Sequence, residues 1–381
     1  MPTDRVPSPT EEDLARLERL VRSNPRVVSW PSPARSDPAF ETHEIELDAD
    51  SSEDAAAAAR EAGDALAAGT RLRVRASLPA LAGVEHPLLL DAAAALAASL
   101  ARDFDAGLAF PLRSGAPAVM GIVNVTPDSF SDGGRLLEPA AAVECGAAMA
   151  AAGAALIDVG GESTRPGAAP VSEAEELRRV IPVVLGLAER GLPAAISIDT
   201  RKAAVAREAL AAGATVVNDV TALRGDPEMA PTVARAGAVV VLMHMKGTPR
   251  DMQRSPAYDG GVTEAVSRYL RESLLAAARA GIPEARACVD PGFGFGKTRE
   301  HNFELLRRLR EFTSLGRPVL AGLSRKSMLA KPGGDSPADR QPATIAATAA
   351  AALAGAAIVR VHDVPSAVEA VRVAAAIRAG A

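Results

Sequence analysis

The stretch VMGIVNVTPDSFSDGG, residues 119–134, holds a short apolar run that reaches Asn124 and is followed by a turn rich in Ser, Asp and Gly. From here to the C-terminus one pattern recurs: a β-rich apolar run, a polar or glycine-rich turn, then an alanine-rich amphipathic segment. Eight such runs occur, at residues 119–125, 155–161, 195–199, 215–220, 239–243, 287–290, 318–323 and 357–361. Runs that are apolar on both faces and alternate with helices are typical of parallel strands covered by helices.

Eight units in roughly 260 residues predict an α/β fold of the (β/α)8 TIM-barrel type, which usually takes about 250 residues. An open doubly wound sheet is the alternative. It normally has fewer units and a glycine-rich dinucleotide turn after its first strand, whereas residues 124–128 are NVTPD. We therefore expect a closed barrel over residues 119–381.

The region before residue 119 follows a different pattern. Residues 1–40 are rich in Pro, Ser and Arg and predict a loosely packed arm, partly disordered. Residues 41–110 predict a small N-terminal α/β accessory domain, with strands at 43–47 and 71–76 and helices at 54–68 and 88–103. We find no motif in this region that indicates chemistry.

Composition excludes several classes of function. The chain has 381 residues, of which 48% are hydrophobic, and a net charge of −5, so it has no overall basic field to attract nucleic acid. Residues 1–12 do not resemble a signal peptide, and no apolar run reaches the about 18 residues of a membrane span. Cys145 and Cys288 show no metal-ligand spacing, so we expect a reduced, cytoplasmic protein.

Polar side chains stand at the ends of the predicted strands. In a parallel barrel these ends lie on one face, so residues far apart in sequence converge on one site. Asp199, Asn218 and Asp290 are acceptors at the ends of apolar strands, where they are costly unless a ligand or neighbour pairs with them. A lone Asp after a strand is more often a helix cap or a turn residue. The joint occurrence favours a site for a planar heterocycle that carries N–H donors.

A second group of strand-end residues is cationic and consists of Arg165, Lys297, Lys326, Arg360 and His362. Taken alone, Arg165 or Lys297 is best interpreted as a solvated loop charge. Alternation along a strand puts Arg360 and His362 on the same face, and Lys326 follows the neighbouring strand. These three predict an anion cradle, because the last two strands of a barrel are a frequent phosphate site.

Two segments, residues 126–134 and 163–167, carry Pro and Gly and are longer than a simple connection needs, so we expect them to act as lids. The five histidines are not joined by a Cys or Glu cluster, and a zinc site is therefore not expected. A Mg²⁺ ion held by one amide oxygen and by substrate phosphates remains compatible.

These strings resemble the dihydropteroate synthase family. The longest are MGIVNVTPDSFSDGG at 120–134 and GESTRPG at 161–167. Further matches follow in the family's order: SIDT at 197–200, VNDV at 217–220, MHM at 243–245, DPGFGFGK at 290–297, SRK at 324–326 and RVH at 360–362. The resemblance covers residues 119–381, whereas residues 1–118 match nothing in the common form of the enzyme.

The resemblance implies an enzyme that joins a pterin pyrophosphate to p-aminobenzoate, with Mg²⁺ as cofactor and a homodimer as the assembly. The pterin would be bound by Asp199, Asn218, Asp290 and Lys326, with Met243 and Phe295 lining the pocket. Pyrophosphate would meet Thr164, Asn218, Arg360 and His362, with Asn124 on the Mg²⁺ ion. p-Aminobenzoate would pack near Phe130, Pro166, Ser324 and Lys326, and Arg165 and Lys297 complete the expected substrate contacts. The expected catalytic residues are Asp290, Lys326, Arg360, His362 and Asp132.

Two alternatives stay open. A pterin-binding barrel that transfers a methyl group between folate and a corrinoid protein would share the Asp and Asn contacts but would not need the anion cradle. A catalytically silent paralogue would be expected to lose loop residues such as Asp132 or Arg165, which this chain keeps. One departure from the family pattern is RQPAT at 340–344, where a proline in the first helical turn is tolerated.

Overall fold

The computed structural model describes residues 6–29, 43–100, 116–126, 138–165 and 167–379. Its N-terminal part contains an antiparallel sheet in the order β1-β2-β4-β3. The strands are β1 (Arg26–Ser29), β2 (His43–Asp48), β3 (Ala65–Ala68) and β4 (Arg71–Ala76), and the helices are α1 (Glu11–Ser23), α2 (Ser52–Ala62) and α3 (Pro87–Leu100). We call residues 6–100 the N-terminal unit. In β4 the residues alternate between exposed and buried, so that Leu72 and Val74 enter the core of this unit.

The remaining strands form a parallel sheet in the order β10-β9-β8-β7-β6-β5-β12-β11. They are β5 (Ala118–Asn124), β6 (Leu156–Gly160), β7 (Ala195–Asp199), β8 (Val216–Asp219), β9 (Val239–Met243), β10 (Ala287–Asp290), β11 (Leu320–Ala321) and β12 (Ile358–Val361). A parallel bridge between Val289 and Val319 joins the first and last strands of this order. The eight strands therefore form a nearly closed barrel, and the predicted barrel with a small N-terminal α/β unit is confirmed.

The barrel helices lie outside the sheet and follow the strands in alternation. They are α4 (Pro139–Ala151), α5 (Glu173–Glu189), α6 (Ala203–Ala211), α7 (Met229–Ala236), α8 (Val262–Arg279), α9 (Arg299–Arg307), α10 (Gln341–Leu353) and α11 (Val364–Ala379), with a 3-10 helix at Leu309–Leu315. Val, Leu and Ala side chains fill the space between the helices and the sheet. Across the described ranges, no helix has both the length and the apolar character needed to span a membrane.

The barrel interior has two layers of different chemistry. The layer near the amino ends of the strands is apolar and includes Met120, Leu156 and Val239. Nearer the carboxyl ends, the fully buried Asp158 and Ser197 face a polar interior. Polar groups in such a position need hydrogen-bond partners, so this layer marks the end of the barrel where a site can form.

The N-terminal region differs from the predicted loosely packed arm over residues 11–29. Helix α1 begins at a capping box between Thr10 and Asp13 and buries Leu17 against Leu275 of α8. Residues 65–68, predicted as the end of a helix, form β3, because α2 ends at Gly63 and the following residues pair with β4. Residues 30–42 and 101–103 lie outside the described residues.

A cluster of buried charges joins the N-terminal unit to the barrel. Arg26 of β1 is fully buried and donates to Glu264 of α8 at 2.8 Å and to Glu46 of β2 at 3.2 Å. Arg308 donates to the same Glu264 at 2.9 Å and to Glu311 at 2.6 Å. Buried charges are tolerated only when they are paired. These ion pairs therefore join the unit to α8 and to the 3-10 helix. Removing one partner would leave the other buried charges only partly paired.

We expect Arg26→Ala to lower the free energy of unfolding by about 3 to 5 kcal/mol, because it removes a fully buried cation that lies within 3.6 Å of Glu46, Glu264 and Glu311 and that their other partners, Arg73 and Arg308, replace only in part. Urea unfolding measures this change. Arg22→Ala is the matched control: Arg22 is 57% exposed and lies 4.0 Å from Asp50, so its loss should change stability by less than about 0.5 kcal/mol. Equal effects of the two substitutions would show that the buried cluster does not hold the units together.

Candidate active site

A cavity of about 580 Å³ opens at the carboxyl ends of the barrel strands. Its walls come from the ends of β5, β7 and β12 and from the turns after β6, β10 and β11. The predicted site residues on its lining are Asn124, Thr164, Arg165, Asp199, Phe295, Ser324, Lys326, Arg360 and His362. Side chains far apart in sequence thus meet around one space, as parallel-barrel geometry requires.

Three further predicted residues are buried at their strand ends and do not form part of the lining. Asn218 is 4% exposed, Asp290 6% and Met243 3%. Asp290 accepts a hydrogen bond from the backbone N–H of Gly292 at 2.7 Å. Burial raises the pKa of the Asp290 carboxyl, and the charge of Lys326 opposes that rise. Because these residues are not on the lining, a ligand would have to enter beyond it to contact them.

Arg360 is the central cation of the site. Its Nε donates to Asp158 at 2.6 Å, and its Nη2 donates to Asp199 at 2.7 Å. Burial by itself would lower the pKa of Arg360, but the two carboxylates outweigh it and raise the pKa. Burial raises the pKa of Asp199 to about 7, against the opposing charge of Arg360.

Lys326 is the second cation on the lining. Its Nζ donates to the carbonyl oxygen of Phe293 and lies 4.6 Å from the ring centroid of Phe295. Burial lowers the pKa of Lys326 to about 8. The preceding Arg325 has a φ of +58°, a strained conformation for a side-chain-bearing residue. Its backbone N–H donates to Thr344 at 3.0 Å, so the RQPAT segment still supports this turn.

His362 was predicted as part of a cationic cradle, but the structure places it as a neutral group. Burial, aided by Arg325 and Arg360, lowers its pKa to about 3. Ser324 Oγ accepts from the backbone N–H of His362 at 3.3 Å and lies 2.9 Å from its Nδ1. A serine hydroxyl that donates to Nδ1 leaves the ring proton on Nε2. His362 can donate one hydrogen bond to an anion but adds no charge.

Lys297 is the predicted residue that the fold turns away from the cavity. Its Nζ lies 2.8 Å from His244 Nδ1 and donates to the carbonyl oxygens of Gly292 at 2.8 Å and Phe295 at 3.0 Å. Burial lowers the pKa of Lys297. The turn is so tight that a Cβ at Gly292, where φ is +68°, would lie 2.0 Å from the carbonyl oxygen of His244. Lys297 thus holds the turn that carries Phe293 and Phe295.

Three predicted residues lie outside the described part of the chain: Phe130, Asp132 and Pro166. Other residues belong to the site although the sequence analysis did not select them. Glu162 and Gln253 line the cavity, and Glu162 accepts a hydrogen bond from the backbone N–H of Val171 at 3.1 Å. Asp158 was missed because it stands inside β6 and not at its end. A charged residue within an apolar strand was the available signal.

The chemistry of this arrangement follows from its two kinds of groups. Buried acceptors at the ends of β7, β8 and β10 suit a planar ligand with N–H donors. Arg360 and Lys326 suit an anion beside it, and His362 can donate to the same anion. A ligand that joins a heterocycle to a phosphate group would satisfy both sets, because Asp199 lines the same cavity as Lys326, Arg360 and His362.

Comparison with known proteins is consistent with this geometry. The sequence profile of a family described as "Pterin binding enzyme" matches residues 120–362. The chain belongs to this family. Dihydropteroate synthase from Escherichia coli K12 is 49% identical over 257 residues, which are 68% of this chain and 90% of that protein. A probable bifunctional folylpolyglutamate synthase/dihydropteroate synthase from Haloferax volcanii is 52% identical, but the match spans 31% of its length.

Solved structures show the same likeness. Dihydropteroate synthase from Yersinia pestis in complex with a sulfonamide drug has 46% identity and a TM-score of 0.68, covering 71% of this chain and 97% of that one. The enzyme from Xanthomonas albilineans in complex with 7,8-dihydropteroate has 44% identity and a TM-score of 0.64, covering 73% and 99%. The predicted family and activity, a dihydropteroate synthase and hence a transferase of folate synthesis, are confirmed.

The raised pKa of Asp199 gives a testable pH dependence. Below a pH of about 7 the carboxyl is protonated and loses its acceptor strength toward a ligand N–H, so affinity for a pterin should fall as the pH is lowered through 7. Calorimetric titration with 6-hydroxymethyl-7,8-dihydropterin on both sides of pH 7 measures this. Arg360, Asp158, Glu176 and Asp219 are the charged groups that act on Asp199.

Asp199→Asn is the control for this experiment, since an amide at this position does not titrate. The variant should bind the pterin weakly, and its affinity should not depend on pH across the same range. An acid limb that persists in Asp199→Asn would assign the titration to another group.

Proposed function

We propose that this protein condenses 6-hydroxymethyl-7,8-dihydropterin pyrophosphate with p-aminobenzoate, with the residue roles given below. The observation that carries the proposal is the single cavity in which Asp199, Arg360 and Lys326 meet. Support also comes from the Xanthomonas albilineans relative, whose complex contains 7,8-dihydropteroate.

The pterin ring enters deeply and donates its N–H groups to Asp199, Asn218 and Asp290. Lys326 donates to a ring acceptor from the side, while Phe295 packs against the ring. Met243 closes the bottom of the pocket. Because these groups are buried, each hydrogen bond is made in a medium with few competing waters. The N–H groups of the ring therefore provide hydrogen-bond donors for the buried acceptors at the strand ends.

The pyrophosphate end lies among Arg360, His362 and Thr164. The C–O bond to pyrophosphate breaks first, and its electron pair leaves with the pyrophosphate oxygen. Arg360 offsets the charge that develops there, and Nε2–H of His362 donates to the same group. Preorganised donors of this kind contribute about 3 to 4 kcal/mol each. The negative charge of Asp290 favours the cationic pterin methylene left behind.

p-Aminobenzoate packs beside Ser324, Arg165 and Lys326, and its nitrogen lone pair forms the new C–N bond to the methylene carbon. The nitrogen then loses one proton to water. An aniline is neutral at pH 7, so the step needs no strong base. Phe130, Asp132 and Pro166 belong to the segments that we propose as lids, which exclude water from the cation.

Mg²⁺ is the cofactor that we propose for the leaving group. Asn124 lines the cavity, and no side chain of the described residues pairs with its amide. The described ranges hold no group of three or more His, Cys, Asp or Glu side chains suited to a metal. One amide oxygen with substrate phosphates and waters is a common set for Mg²⁺, which would neutralise pyrophosphate charge when bound.

We propose a homodimer that pairs through α10 and α11, in a cytoplasmic protein. Leu353 at the end of α10 and Val373 and Ile377 on α11 are large apolar residues that are 39%, 47% and 59% exposed. Arg378 donates to the carbonyl oxygen of Ala352, so the two helix ends are adjacent. A second copy would cover these side chains.

The alternative of methyl transfer between folate and a corrinoid protein is less well supported. Such an enzyme would use the carboxylate and amide contacts but would have no pyrophosphate to bind. Arg360, held by Asp158 and Asp199, lies beside His362 and Ser324, and these groups can bind an anion. This group of residues therefore favours the condensation.

Turnover tests the proposal directly. Purified protein with the pterin pyrophosphate, p-aminobenzoate and Mg²⁺ should release pyrophosphate and form 7,8-dihydropteroate. Lys326→Ala should lower kcat/KM by roughly a hundredfold and weaken both substrates, because this residue contacts each. Lys331→Ala, at an exposed lysine away from the lining, is the matched control and should keep full activity. Absence of product at high wild-type enzyme concentration would reject the proposed reaction.

Sedimentation should show a dimer for the wild-type protein. Ile377→Glu places a charge in the proposed contact and should shift the protein toward the monomer. Leu185→Glu is the matched control, because Leu185 is a 44% exposed leucine on α5, away from the proposed contact, and its replacement should leave the dimer intact. A monomeric wild-type protein would contradict the assembly.

A further inference from the structure

Asp158 is a buried carboxylate in the middle of β6 that no substrate contact explains. Its side chain is fully buried and accepts three hydrogen bonds. Oδ1 accepts from Ser197 Oγ at 2.6 Å, and Oδ2 accepts from Asn218 Nδ2 at 3.0 Å and from Arg360 Nε at 2.6 Å. The three donors come from β7, β8 and β12. One carboxylate therefore joins four strands of the barrel at the level of the site.

The first consequence concerns Asn218. A carboxylate paired with a guanidinium can only accept hydrogen bonds, so Asn218 must turn its Nδ2 toward Asp158. This leaves its Oδ1 as the group that can face a ligand. Asp158 thus sets the amide orientation that a pterin N–H requires. If the Asn218 amide turned the other way, its own N–H group would face the N–H group of the pterin.

The second consequence concerns Arg360. The guanidinium is planar, and its contacts through Nε with Asp158 and through Nη2 with Asp199 fix that plane. Nη1 is the nitrogen that these two ion pairs leave for an anion. If Asp158 did not hold Nε, the contact with Asp199 alone would allow the side chain to rotate.

We propose that Asp158 is a positioning residue that orients the pterin-binding amide of Asn218 and the pyrophosphate-binding guanidinium of Arg360 at the same time. The proposal rests on the proposed function and deepens it. It predicts that the two halves of one substrate, the pterin pyrophosphate, depend on this carboxylate. p-Aminobenzoate, which we place beside Ser324, Arg165 and Lys326, contacts neither Asn218 nor Arg360 in this proposal and should not depend on Asp158.

Asp158→Asn tests the proposal with almost no change in shape. The new amide has one acceptor oxygen for the three donors and adds two N–H groups. Either the Asn218 amide turns over, or Arg360 Nε loses its hydrogen bond to position 158. We expect kcat/KM for the pterin pyrophosphate to fall roughly tenfold to a hundredfold, the loss typical of one or two buried hydrogen bonds to a charged group. KM for p-aminobenzoate should change less than about twofold. Direct calorimetric binding of the pterin pyrophosphate should weaken by the same factor.

A reciprocal exchange separates orientation from simple loss of stability. The double variant Asp158→Asn with Asn218→Asp keeps the atoms and the net charge but reverses the polarity of the hydrogen bond between the two positions. An oxygen then faces the ligand again at position 218. Arg360 Nε still lacks a carboxylate at position 158, so pterin pyrophosphate affinity should recover only in part relative to Asp158→Asn, whereas a structural role for Asp158 predicts further loss.

Ser197→Ala is the matched control, because it removes one donor to the same carboxylate but leaves Asn218 and Arg360 paired. Its pterin pyrophosphate affinity should change less than about threefold. The proposal is wrong if Ser197→Ala matches Asp158→Asn, or if Asp158→Asn weakens both substrates equally. If the proposed function is wrong, the wild-type protein will show no turnover. Binding of the pterin pyrophosphate can still be measured in that case, and it still tests the role of Asp158.

Discussion

The Arg360 guanidinium, held between Asp158 and Asp199 inside the barrel, is the interaction on which the site depends. A cation in this interior is stable only with its partners, and the partners come from β6 and β7. The same carboxylates would be costly without it. Buried ion pairs are a poor source of stability in general, so we propose that this group is placed near the carboxyl ends of the strands to bind a ligand.

The barrel interior keeps the charged groups of the site apart from the apolar packing that stabilises the fold. Its lower layer, with Met120, Leu156 and Val239, is closed and apolar, so the side chains there serve packing alone. Its upper layer carries the charges, and the turns after the strands bring the remaining groups. The turn that ends in Lys297 shows how such a loop is fixed: a buried ammonium binds the loop's own carbonyl oxygens, so Phe293 and Phe295 keep their places on the cavity wall.

On the outside of the barrel, the N-terminal unit is also held by buried charges that share their partners. Arg26 and Arg308 share the carboxylates of Glu264 and Glu311, and Leu17 adds an apolar contact with α8. These contacts with the barrel involve α8 and the 3-10 helix, whereas we propose that the second copy binds α10 and α11. The described residues of the unit are therefore packed against the barrel.

The sequence alone determined the barrel and the chemical types at its strand ends. Strands β7, β9 and β10 lie where the apolar runs predicted them, because a strand buried on both faces leaves a continuous apolar signal. That signal was weaker for β3, whose alanines favour a helix locally but pair with β4 in the fold. Only the tertiary structure decided that Lys297 turns inward, that burial lowers the pKa of His362 and that Asp158 accepts a hydrogen bond from Asn218. Each of these depends on a hydrogen-bond partner from a distant segment, and burial and distance between such segments are not encoded in any local pattern.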